Sequence, residues 1–328
     1  MQAISKNRRA LSAALALGTF GFPWLARAAG SDYPTKLVRI VVPFGAGSLT
    51  DTTLRIISPK LSEALGASIV IENKAGASGQ IGSSQVVGSP ADGYTLLMAA
   101  VTSHGSGPAL FKNLPYDIEK DFTAIGLVGA PPAFFAVHPS VPADDLKSFV
   151  EWAKAQPEPV PFSSVANGSS GHLTAEHFAL ETGCRFLQVP YKEAGQAVTD
   201  LIAGHVKFMI YYAPLIPHIK SGALKPLAVL SDQRADFAAD IPTAAEQGFP
   251  GVESYGWTGL FGPGNLDPKI VEKLNGALMT ALQDDEISKK MAEQGQQIKL
   301  MSPQEFEAFL RADRAKWVNV VQQANITL

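Results

Sequence analysis

Residues 37–61, LVRIVVPFGAGSLTDTTLRIISPKL, constrain the fold more than any other stretch of this chain. The apolar run 37–42 fits a buried strand. Pro43-Phe44-Gly45-Ala46-Gly47 is a turn where backbone can approach a ligand, and Ser48, Thr50 and Asp51 follow as candidate helix caps. A strand that feeds a glycine turn into a helix start makes an anion site, because unpaired N–H groups and the positive end of the helix dipole face whatever sits above the turn. The plainer reading is a tight strand-to-helix connection with no ligand, since such turns recur in parallel sheets. A rival is a dinucleotide-dependent enzyme. Gly45 to Thr50 reads G-x-G-x-x-T, and Glu72 ends the next apolar run where a ribose-binding acid would lie. The missing third glycine and the open loop after Glu72 weigh against it.

At the N-terminus, Lys6, Arg8 and Arg9 precede an uncharged apolar stretch, 10–26, and Ala26-Arg27-Ala28 supplies a small-x-small cleavage pattern. This reads as a secretory signal peptide over 1–28, cleaved near Ala28, and so as an exported protein. Gly18, Gly21 and Pro23, and a length short of the ~20 residues that span a bilayer, weigh against an anchor. Arg8-Arg9 hints at twin-arginine export, with the general secretory route as the default. About 300 residues remain, enough for two domains. With 46% hydrophobic and 17% charged residues and a formal net charge of −3, the chain lacks the basic signature of a nucleic-acid partner. The single cysteine, Cys184, excludes an internal disulfide and is expected in the core.

From residue 31 onward, strands at 37–42, 68–72 and 94–99 alternate with helices near 49–65 and 79–88, which predicts a parallel sheet with helices on its faces. Ligands of such sheets collect at the carboxyl ends of the strands. Three loops therefore converge, 44–50, 74–79 and 101–107, the last with Thr102, Ser103 and His104. The apolar residues 122–137, broken by Pro131-Pro132, read as a crossing between domains. A second α/β unit follows: helix 144–155, strand 160–165, helix 172–182, strand 186–189, helix 196–203, and strands 206–210 and 224–229. Its loop Ala166-Asn167-Gly168-Ser169-Ser170-Gly171 repeats the logic of the first. Residues 252–262, with Tyr255, Trp257 and Phe261, read as the return crossing. Two helices, 268–282 and 303–325, complete the chain and are expected to support the first lobe, the latter through Phe306, Phe309, Leu310, Trp317, Val320 and Val321. The expected division is lobe 1 over 31–131 and 253–328, and lobe 2 over 132–252.

No catalytic set assembles. Asn167 to Gly171 fails the G-x-S-x-G pattern, and His172 is too near in sequence to act easily as its base. For His104 and His172 the favoured role is a loop histidine bonded to backbone. The six histidines show no H-E-x-x-H spacing, so neither metal nor cofactor is expected. The loops 43–51 and 166–173 carry no Arg or Lys. An anion there would be met by backbone N–H groups, the hydroxyls of Ser48, Thr50, Ser169 and Ser170, and two helix dipoles. The physical reading is a non-catalytic, two-lobed protein that closes on a small anion.

Several motifs add a resemblance. They are Tyr33-Pro34; Val42-Pro43-Phe44 with Gly47 and Asp51; Ile71-Glu72-Asn73-Lys74 with Gly76 and Gly79; and Ala91 to Leu97. Further along come Gly168-Ser169 with His172-Leu173, Val189-Pro190-Tyr191-Lys192, Pro217 to Gly222, and Ile241-Pro242-Thr243. On these, over essentially the whole mature length, the chain resembles the Bug (TctC-type) extracytoplasmic solute receptors of tripartite tricarboxylate transporters. The resemblance implies an α/β, two-lobed periplasmic binding protein fold (type II), hinged at two chain crossings. It also implies a periplasmic location, membrane transporter subunits as partners, and carboxylate ligands such as citrate, dicarboxylates, acidic amino acids, and nicotinate-like or aromatic acids. Carried over by position, the ligand loops are Phe44, Gly45, Ala46, Gly47, Ser48, Thr50 and Asp51 in the first lobe and Asn167, Gly168, Ser169, Ser170 and His172 in the second. Ser103, His104, Tyr211 and Tyr212 complete the candidate site, and the receptor is expected to be a monomer. Asp51 fits a cap or a supporting acceptor better than a direct ligand. Ser48 stands where the family usually has a second glycine, and Tyr211-Tyr212 replaces a more usual Phe-Asp pair. Two tyrosines flanking a flat ring would favour an aromatic mono- or dicarboxylate, with aliphatic di- and tricarboxylates next. A sensory receptor serving a signalling partner is the alternative to a transport receptor.

Overall fold

The structure is a computed structural model and describes residues 33–165 and 167–327. The expected signal peptide over 1–28, the first residues of the expected lobe 1, and Ala166 lie outside the described residues.

The chain begins with β1 (Val38–Val42), α1 (Leu49–Leu65), β2 (Ile69–Asn73), α2 (Gln80–Val87), β3 (Thr95–Ala100), α3 (Gly107–Leu110) and β4 (Phe122–Gly129). A π-helical turn, Val101–Gly105, joins β3 to α3. β1 reads as a continuous apolar run because both of its faces are covered. Val38, Ile40 and Val42 pack on Leu54, Ile57 and Leu61 of α1, while Val41 packs with Val86 of α2 on the other side. Ser48 starts α1, and Gly66 stops it with a left-handed φ of 72°, as helix C-termini favour.

The middle of the chain holds β5 (Phe134–Val137), α4 (Leu146–Lys154), β6 (Val160–Val165), α5 (Ser170–Thr182), β7 (Phe186–Tyr191), α6 (Ala194–Ile202), β8 (Phe208–Tyr211), α7 (Ile216–Lys220) and β9 (Lys225–Val229). Then come β10 (Thr258–Pro263), α8 (Pro268–Leu282), α9 (Asp285–Glu293) and α10 (Pro303–Gln323). Two five-stranded sheets result, ordered β2-β1-β3-β10-β4 and β7-β6-β8-β5-β9. The core of the second is aromatic: Phe135 stacks on Phe208 at 4.9 Å, and Phe149 and Phe178 meet Phe135 edge-on. Cys184 is buried beside it as a free thiol.

Both sheets share one plan, which corrects the all-parallel expectation. In each, the fourth strand alone runs against its neighbours: β10 is antiparallel to β3 and β4, and β5 to β8 and β9. These two strands are the ones that enter from the other sheet without an α-helical crossover, so nothing turns them parallel. They also overturn the reading of 122–137 and 252–262 as crossings alone. The first holds β4 and β5, and the second holds most of β10. The crossings proper are short and pair with each other. The Ala133 amide donates to the Ser254 carbonyl (3.0 Å), the Gly256 amide to the Pro131 carbonyl (2.9 Å), and Pro132 bridges Tyr255.

A helix the sequence reading passed over, α9, sits between α8 and α10. α10 does more than support the first sheet. Phe306 and Leu310 pack over β10 and β4, but Trp317, Val320 and Val321 pack on Leu173 of α5. Among the described residues no helix is long and apolar enough to cross a membrane.

Candidate functional site

Two strand-to-helix turns carry the same local chemistry. In the first, Gly47 takes a φ of 80° and delivers Ser48 to the N-cap of α1, where its Oγ accepts from the Asp51 amide at 3.3 Å. In the second, Gly168 takes 72° and delivers Ser169 to the N-cap of α5, where its Oγ accepts from the His172 amide at 3.4 Å. The glycine amide of each turn is folded back on the side chain four residues on. Gly47 donates to Asp51 Oδ2 (2.8 Å), and Gly168 donates to His172 Nδ1 (3.0 Å). This leaves the first amides of α1 and α5, which have no intrahelical acceptor, pointing out of each turn. Both turns lie at the carboxyl end of a parallel strand, β1 or β6.

Asp51 organises the first turn. Its side chain is 2% exposed, and beyond Gly47 it accepts from Asn73 Nδ2 (3.0 Å) and Arg55 Nε (3.0 Å). Asn73 also donates to the Phe44 carbonyl at 3.1 Å, tying the turn to the end of β2. The carboxylate is thus committed within the protein. Burial alone would raise its pKa, but the hydrogen bonds from Arg55, Gly47 and Asn73 hold it below the ordinary aspartate range. Arg55 was not singled out by the sequence because it lies one turn inside α1, beyond the glycine turn.

The three first-lobe loops do converge. A Cβ on Gly79 would lie 3.2 Å from Ser103 Cβ and 3.5 Å from both Phe44 Cζ and Pro43 Cβ. From Ser103 the path continues through the crossing to the second turn. Val101 donates its amide to the Trp257 carbonyl, Gly256 lies under the Tyr212 ring, and the Tyr212 and Ser170 hydroxyls are bonded to each other. Gly171 allows this approach, because a Cβ there would fall 2.3 Å from the Ile210 carbonyl oxygen of β8. Thr174, one turn on, pairs with Ser254 of the crossing at 2.8 Å.

Not every expected site residue faces these turns. Gly45, Ala46, Gly47 and Asn167 are exposed and Ser48 and Ser169 half-buried, whereas Thr50 and Ser170 are buried. Ser103 uses its hydroxyl on the Ala100 carbonyl, 3.1 Å away, and on His104 Nδ1 at the same distance. His104, expected beside the ligand, is a core residue. Its ring has no exposed surface and packs 4.6 Å from Phe122 and 5.0 Å from Phe261. Burial, with the charge of Arg314 adding to it, pushes its pKa down to about 3. His172 is bonded to backbone, as favoured, with Nε2 3.7 Å from Glu176. Tyr211 and Tyr212 do not form parallel plates: their rings are 5.4 Å apart and inclined at 45°. Tyr212 has its face on Gly256 and its hydroxyl on Ser170, and both tyrosines are half-buried.

The chain as a whole matches a known group of proteins. The chain matches the tripartite tricarboxylate transporter family receptor over residues 53–326. It is 34% identical over 298 residues to the protein BugT of Bordetella pertussis, covering 90% of this chain and 91% of that one. Among solved structures it is similar to R. palustris Rpa4515 with adipate, at 34% identity and a TM-score of 0.75, over 90% of this chain and 99% of that one. It is also similar to MatC from Rhodopseudomonas palustris with bound malate, at 29% identity and a TM-score of 0.71, over 88% and 100%. With two mixed sheets, two paired crossings and these relatives, the chain belongs to the family of tripartite tricarboxylate transporter receptors, periplasmic solute-binding proteins with a two-lobed α/β fold.

Proposed function

We propose that this receptor captures a small aliphatic dicarboxylate in the periplasm and hands it to the membrane subunits of a tripartite tricarboxylate transporter. In this reading the chain is exported by its first 28 residues and works as a monomer. Residues 132–252 move as one body against 31–131 and 253–328 and close on the ligand. The observation that carries the reading is the matched pair of glycine-serine turns, one per sheet, each offering helix amides and a serine hydroxyl. A dicarboxylate has one anionic end for each turn. A serine that accepts from an amide keeps its own O–H to give, so Ser48 and Ser169 can cap and donate together. The neighbours solved with adipate and malate support the ligand class. The aromatic acid expected from Tyr211-Tyr212 is less favoured in this reading, because Tyr212 already bonds Ser170 and lies on Gly256.

Calorimetric titration with adipate, succinate, malate, citrate, benzoate and the phthalates tests this. At least one aliphatic dicarboxylate is expected to bind more tightly than any aromatic acid. A charge-assisted hydrogen bond is worth roughly 1.5–3 kcal/mol, so Ser48→Ala and Ser169→Ala should each weaken that acid about ten- to a hundredfold. If both variants keep wild-type affinity and lose only ~1 kcal/mol of stability, the serines are caps alone and the acid is held elsewhere.

A further inference from the structure

A cavity of about 620 Å³ opens between the start of α8, the first half of α10 and the segment 118–124 leading into β4. It shares no residue with the two ligand turns. Phe122, Phe261, Leu266 and Val271 give it an apolar side, α10 presents Glu307, Arg311 and Arg314 to it, and Glu119, Lys120 and Glu272 also line it. The two arginines differ in what meets their charge. Arg311 is largely exposed and pairs with Glu307 one turn back. The Arg314 side chain is only 12% exposed, its Nε finds no acceptor among the protein's described groups, and its ion partner Glu119 stands 3.7 Å away and is itself 70% exposed. A buried donor left unmet is destabilising, so proteins retain one where a ligand, ion or water answers it. Burial also lowers the Arg314 pKa, ahead of the opposing pull of Glu119 and Asp313, as expected of a cation short of compensation. The volume falls within the ~300–1,000 Å³ of small-molecule sites.

We propose that this cavity is a second binding site, separate from the cleft, for a small amphipathic carboxylate whose anionic end pairs with Arg314 and whose apolar body lies on Phe122, Phe261 and Leu266. Arg314 supplies the polar anchor at a fixed place, and the phenyl and leucyl surfaces supply burial for a chain or ring of medium size. A dicarboxylate of the kind proposed for the cleft would place its second charge on that apolar side and be disfavoured.

Titration of the mature protein with octanoate, and with octanol as its uncharged counterpart, tests the site. Octanoate should bind with a Kd below about 1 mM, and octanol at least tenfold more weakly. Arg314→Gln should weaken octanoate at least tenfold, Arg314→Lys less, and Ala124→Phe, which places a ring in the cavity, should abolish binding. All three variants should keep the affinity for whichever acid occupies the cleft. Should Arg314→Gln fail to fold, Ala124→Phe and the octanol comparison decide. The site is overturned if octanoate binds the wild type, Arg314→Gln and Ala124→Phe alike, since the acid then sits elsewhere. It is equally overturned if octanol binds as well as octanoate, or if no heat appears up to about 10 mM, which would leave Arg314 Nε answered by water.

Discussion

At Asp51 three groups share one buried carboxylate, the Gly47 amide, Asn73 and Arg55, while the Asp51 amide donates to the Ser48 cap. Asp51→Ala would leave the Gly47 and Asn73 donors without their acceptor, at a cost of about 2–3 kcal/mol, read as a lower urea midpoint. Acid should act on the same bonds. Because the folded carboxyl titrates below the unfolded value of about 3.9, its contribution is fully present above that pH and is lost as pH falls through the lowered folded value. The wild type should therefore lose stability below about pH 4 more steeply than Asp51→Asn; equal acid slopes would remove Asp51 from this role. Gly171 gives a second test. A helix glycine changed to alanine ordinarily gains ~1 kcal/mol, and Gly276 in α8, with open space around it, should follow that rule. At Gly171 the new Cβ would lie 2.3 Å from the Ile210 carbonyl, so α5 must leave β8 and the Ser170 bond to Tyr212 stretches. Melting temperature should rise for Gly276→Ala and fall for Gly171→Ala, and only the latter should weaken dicarboxylate binding; a stable, fully binding Gly171→Ala would show that the clash is relieved without moving the turn.

At the scale of elements, α10 joins what the two sheets build separately. Asp313 on it accepts from Trp257 of the crossing (2.8 Å) and from Trp317 (3.0 Å), and Trp317 packs on Leu173 in the first turns of α5. Trp317→Ala should cost roughly 3–5 kcal/mol and also weaken dicarboxylate binding in the folded fraction, because α5 loses its backing. Phe306→Ala, on the same helix but packed only over the first sheet, should cost comparable stability and leave affinity intact. Chemical denaturation and calorimetry on the two variants separate these outcomes; identical affinities would return α10 to passive support. The two glycine-serine turns were legible in the sequence because a glycine, a serine cap and a helix start are neighbours in the chain and need no distant partner. Ser170 with Tyr212, 42 residues apart, and His104 inside a cluster of Phe122 and Phe261 were not, since only the fold decides which of two polar residues in a loop turns inward. β5 and β10 were missed for a related reason. Each is buried along its whole length and so shows no alternation, and Pro131-Pro132 before β5 read as a break. α9 escaped because its nine residues, DEISKKMAE, bury only Ile287 and Met291.

At the scale of the molecule, the repeated sheet order places one glycine-serine turn on each lobe and routes both crossings through the short pair Pro131–Ala133 and Ser254–Gly256. Contacts beside the crossings tie one lobe to the other. Lys299, after α9, reaches Asp232, after β9, at 2.9 Å and Tyr255 at 3.0 Å, and Gly295 abuts Ala213. In the proposed closure the lobes would rotate about these crossings, and a ligand can drive that rotation only through contacts it makes in the closed state alone. A dicarboxylate touching both turns, as proposed, would make such contacts. Small-angle scattering of the mature protein, free and saturated with the dicarboxylate found by titration, tests this most directly: the radius of gyration should fall on saturation in the wild type, and an unchanged radius at full occupancy would contradict capture by closure between the two turns.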